Sequence, residues 1–155
     1  MAAFIASGSL SLFVKRNKEP IWQASGEVQF KSETVSGIVV MDMASQIARN
    51  EINGKTHISH FSLDLCPEYT LDELIIELHE RKENLHTYSN ANFLIGMFHK
   101  MLCNQILKRA KVEVAGYVEN LTNRELERIA RAIKSFDIEY KHLDSFDHAQ
   151  VTVGG

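Results

Sequence analysis

Seven histidines and two cysteines are the residues of this chain best suited to hold a metal or act as nucleophiles. Their spacing does not assemble them. His57 and His60 are three apart, and in an extended segment that separation turns them to opposite faces. His79, His86, His99, His142 and His148 fall into no HxxxH, HExxH or Cys/His pattern, so the spacing favours surface or internally satisfied histidines over a zinc site. Cys66 and Cys103 form no CxxC pair, which suits reduced thiols in a cytoplasmic protein better than a disulfide or metal framework. Cys103 falls on an apolar helical stripe, the place of a small buried hydrophobe rather than a nucleophile. Asp64, Asp72 and Glu73 read as turn and cap residues before they read as an acid/base pair. The sequence has no Gly-x-Gly-x-x-Gly, no P-loop and no Gly-x-Ser-x-Gly. No catalytic residue and no metal ligand is assigned, and a small hydrolase or metal enzyme is the weakest reading.

A second group with possible chemistry is cationic. Lys100, Lys108, Arg109 and Lys111 share one expected helix, and Arg124, Arg128, Arg131 and Lys134 another. Such faces could grip a nucleic-acid backbone. Against that, Glu125 and Glu127 are interleaved, there is no aromatic base platform, and cations near helix C-termini are favoured by the helix dipole. The solvated-face reading is preferred, and nucleic acid is the less favoured partner. A formal net charge of -3 gives no general attraction to phosphate or anionic lipid. No apolar run approaches the ~20 residues of a spanning helix, and Met1-Ala2-Ala3-Phe4-Ile5-Ala6 lacks the basic start of a signal peptide, so no membrane partner is expected.

The elements that must position these residues divide the chain. Leu10, Leu12 and Val14 alternate with Ser9, Ser11 and Phe13 as in a half-buried strand; 21–24 and 27–30 read as two short strands around Gly26. Trp22, Val28 and Phe30 are expected in the core. Residues 39–50 carry apolar positions at helical spacing, and 55–65 return to alternation. Thr70-Leu71-Asp72-Glu73 and Thr122-Asn123-Arg124-Glu125 are capping boxes, each followed by an i, i+3, i+4, i+7 apolar stripe. Between them, Asn90 or Asn92 is expected to cap a helix over 93–98, and another helix covers 99–111. Phe136, Ile138 and Tyr140 open a final extended stretch. The pattern predicts an α+β fold: a mostly antiparallel, barrel-like β lobe from 1–68 plus 136–155, and a small helical lobe inserted at 69–135.

The chain closes on Ala149-Gln150-Val151-Thr152-Val153-Gly154-Gly155, an extended run ending in a glycine pair, which usually begins a turn or admits a ligand to the backbone. This stretch resembles the Ala-Gln-Val-Thr-x-Gly-Gly signature of a family of bacterial FAD-dependent flavoproteins, which includes the aminoacetone oxidases and the BaiN-type NAD(P)/FAD-dependent oxidoreductases. Gly26-Glu27-Val28-Gln29-Phe30 with Val35-Ser36-Gly37-Ile38 is similar to that family's Gly-Glu-x-x-Phe-Thr…Ser-Gly element. Leu121–Arg128 through Ala132–Phe136 is similar to its late helix. Lys31-Ser32-Glu33 and Ile38 depart from the pattern, Ile38 standing where a proline is frequent.

The resemblance implies a β-barrel-like lobe and a helical lobe inserted into a Rossmann-like FAD domain of the same parent chain. The expected chain is thus a fragment of a longer protein: a substrate-side cap that is not catalytically complete alone and does not retain FAD alone. Carried over by position, Thr152, Gly154 and Gly155 would approach the flavin, and Ser36 and Gly37 would lie on the side of a small-molecule substrate. The alternative is a free-standing interaction module that binds protein or nucleic acid through its helical lobe.

Overall fold

The computed structural model describes residues 4–14, 18–31, 34–52 and 58–139. The fold is α+β. Five strands, β1 (Phe4–Val14), β2 (Trp22–Phe30), β3 (Val35–Ser36), β4 (Ile58–Asp64) and β5 (Phe136–Glu139), form one sheet in the order β3-β2-β1-β4-β5. The last described strand, β5, joins this sheet beside β4, while the extended run expected over 149–153 lies outside the described residues. Among the described residues four α-helices accompany them: α1 (Ile38–Ile52), α2 (Leu71–Asn84), α3 (Lys100–Arg109) and α4 (Asn123–Lys134). The described chain separates into two compact units, one containing residues up to Leu63 and the strand from Asp137, the other Asp64–Phe136.

In the first unit β1 and β2 pair antiparallel from Phe4↔Phe30 to Leu12↔Trp22. Alternation sends Phe4, Ala6, Leu10, Leu12 and Val14 of β1 into the core, facing Phe30, Val28, Ala24 and Trp22 of β2. The Phe4 and Phe30 rings stack with centroids 5.0 Å apart. On the other face lie Ser7, Ser9, Gln23, Ser25 and Glu27, with Gln23 donating to the Ser9 hydroxyl at 3.1 Å. Where two short strands around Gly26 are expected, β2 is one uninterrupted strand. Gly26 does not break it because it pairs with Gly8 and lies under α1: a Cβ there would stand 2.9 Å from the Cβ of Val39. The glycine thus permits close helix–sheet approach instead of turning the chain. Val39, Val40, Met43 and Ile47 are the buried stripe of α1.

The second unit is helical. In both α2 and α4 the capping box forms as the sequence predicts: Thr70 and Thr122 hydroxyls accept from the Glu73 and Glu125 amides at 3.2 Å, and those glutamates accept from the threonine amides at 2.8 Å. Leu74 and Leu78 of α2, Leu102, Cys103, Ile106 and Leu107 of α3, and Leu126, Ile129, Ala130 and Ile133 of α4 fill its core. The helix expected over 93–98 is absent. Asn90–Asn92 makes a single 3₁₀ turn, followed by turns through Gly96 at φ +94°. At the start of this turn Asn90 is buried: its side-chain Nδ2 donates to the Glu113 carbonyl at 2.8 Å, and its backbone amide donates to the Gly116 carbonyl at 2.8 Å. The asparagine thus ties two loops together, and its Oδ1, the atom a helix cap would use, accepts no hydrogen bond within the fold.

Candidate functional site

Ser36 and Gly37 end β3 and lead into α1. Ser36 pairs with Gln29 in the β2–β3 ladder, and its hydroxyl donates to the Gln29 Oε1 at 3.2 Å. Gly37 adopts φ +120°, which side chains other than hydrogen rarely tolerate, and a Cβ there would lie 2.6 Å from the Glu27 carbonyl oxygen. Its own carbonyl accepts the Met41 amide at 3.0 Å, the first bond of α1. Ile38 occupies the first position of that helix, where proline is well suited because its missing N–H is unneeded. Ile38 also leaves a large apolar side chain 75 % exposed beside Gly37.

The two halves of the resemblance, Gly-Glu-x-x-Phe and Ser-Gly, thus meet in space. Glycines 26 and 37 each admit a backbone or side-chain atom of the same unit, Val39 and the Glu27 carbonyl respectively. Their vacant Cβ positions are thus occupied from within the unit. Thr152, Gly154 and Gly155, expected to approach the cofactor, lie outside the described residues. His57, His142 and His148 lie outside them too.

The remaining candidates are structural. Among the described residues no group of three or more His, Cys, Asp or Glu is arranged to hold a metal ion. Cys66 is buried, and burial, reinforced by the Glu68 and Asp64 carboxylates, pushes its thiol up to about 12. Burial also raises the Cys103 thiol. Neither is a thiolate at neutral pH, as a nucleophile requires. His60 stacks on Phe13 with centroids 4.8 Å apart, and His99 caps α3 by accepting the Met101 amide at 3.2 Å.

Arg109, Arg128, Arg131 and Lys134 have partners within the fold, while Lys100, Lys108, Lys111 and Arg124 are exposed. Arg109 lies 3.8 Å over the Phe136 ring, and Arg128 donates to the Ala110 carbonyl at 2.7 Å. Arg131 pairs with Glu127 at 2.9 Å along α4. Lys134 bonds the Cys66 carbonyl at 3.0 Å, the Tyr69 carbonyl and, at 2.7 Å, the Asp64 carboxylate. Two more cations that sequence reading passed over do the same: Lys82 donates to Leu121 O at 2.8 Å, and Arg81 to the carbonyls of Phe93 and Ile95. The available signal was their place in the last turn of α2, followed by a loop rich in turn residues.

Against known families, residues 7–151 match the model of the HI0933-like protein barrel and H2TH domain. The chain belongs to this HI0933-like family. A curated relative is the 3-dehydro-bile acid delta(4,6)-reductase of Clostridium scindens, 24% identical over 138 residues. The match covers 89% of this chain but 33% of the relative, so the chain spans about a third of the relative's length. The HI0933-like assignment agrees with the two units: a strand unit holding the Ser36–Gly37 turn and a helical unit built from α2, α3, α4 and their paired loops.

Proposed function

We propose that this chain is the substrate-side insert, or cap, domain of a FAD-dependent oxidoreductase, catalytically incomplete by itself. One observation carries the reading: a chain that belongs throughout to the HI0933-like family aligns with only a third of a reductase. In a parent of that size the remaining length accommodates a Rossmann-like FAD domain flanking the insert. The close packing at Gly26 and Gly37 and the burial of both thiols support a module that shapes a cavity rather than one that holds a complete active site.

When bound, the flavin of the parent supplies the redox chemistry. The role of this chain is to position and shield. The β3–α1 turn presents the Ser36 hydroxyl and the Gly37 backbone at a point fixed by the Glu27 and Gln29 contacts, on the side of a small-molecule substrate. Thr152, Gly154 and Gly155 are the positions where backbone meets the cofactor in the parent.

The test uses two proteins. The full-length parent, purified as expressed, is expected to show flavin absorption in the visible, whereas the 155-residue chain mixed with FAD and desalted is expected to retain none. Tight, stoichiometric FAD retention by the 155-residue chain would overturn the split site. A colourless parent that no added FAD can reconstitute would overturn the flavoprotein assignment itself.

A further inference from the structure

We draw no further inference here: the strongest candidate, the cluster of exposed cations formed by Lys108, Lys111 and Arg128 where the end of α3 meets α4, is interleaved along the chain with Glu113, Glu125 and Glu127, and nothing in the structure shows what covers it.

Discussion

At Gly37 a methyl group would stand 2.6 Å from the Glu27 carbonyl oxygen, on a backbone already at φ +120°. Gly37→Ala is therefore expected to cost about 1–3 kcal/mol in denaturant unfolding, from strain plus displacement of β2. A substitution without loss would mean that the β3–α1 turn is not held as described. Sequence reading reached Ser36 and Gly37 only through a family resemblance, and the reason is physical. What demands glycine there is a carbonyl from another strand, which no local pattern encodes. Cys66 makes a pH-dependent prediction. Its thiol, ordinarily near 9.0, is raised to about 12 by burial and by the carboxylates of Glu68 and Asp64. The folded state then keeps a proton that the unfolded chain releases, so this contribution is intact below about pH 9 and declines as pH rises toward 12. Alkaline denaturation of Cys66→Ala is expected to show a shallower slope across that window, and native Cys66 should resist alkylation at pH values where the unfolded thiol reacts.

At the level of elements, α2 and α4 were the most legible parts, because a capping box is complete within four residues and the buried stripe follows from helical spacing alone. Thr70→Ala and Thr122→Ala should each cost about 0.5–2 kcal/mol, read as a lowered denaturation midpoint with unchanged helix content in native buffer. The loop between α2 and α3 was illegible for the opposite reason. Asn90 looks like a helix cap, yet its side-chain Nδ2 and backbone N–H tie the loop to Glu113 O and Gly116 O, far along the chain, and Arg81 holds the Phe93 and Ile95 carbonyls that a helix would have used itself. A long-range partner that satisfies buried backbone overrides local propensity. The cationic faces teach the same lesson. Counted along the sequence they suggest a phosphate grip, but in the fold Arg128 and Lys134 end on backbone carbonyls. Lys134→Met should accordingly cost about 1–3 kcal/mol, since it removes the ion pair to the half-buried Asp64 carboxylate and the side-chain donor to the Cys66 and Tyr69 carbonyls. Weakened nucleic-acid retention without loss of stability would point to a different role for that lysine.

For the whole molecule, the decisive feature is how the chain enters and leaves the helical unit. It enters at Asp64 and leaves at Phe136, and these two points are fastened together. The Leu65 amide donates to Ile133 O at 3.0 Å, Lys134 bridges to Asp64 at 2.7 Å, and Phe136 is buried against Arg109. A segment whose ends meet can be excised without stretching either end. It also holds both capping boxes and a core of its own, with Leu74, Leu78, Phe93, Leu94, Leu102, Leu107, Leu126 and Ile129 fully buried. Units of about 60 residues do fold alone when so equipped. The segment Asp64–Phe136, expressed by itself, is therefore expected to give a helical circular dichroism spectrum and a single cooperative thermal transition. Lys134→Met should lower that transition in the segment as it does in the full chain, because the fastening lies wholly inside the segment. A disordered segment, or one whose stability is indifferent to Lys134, would show that the closing contacts between Asp64 and Lys134 do not define an autonomous unit.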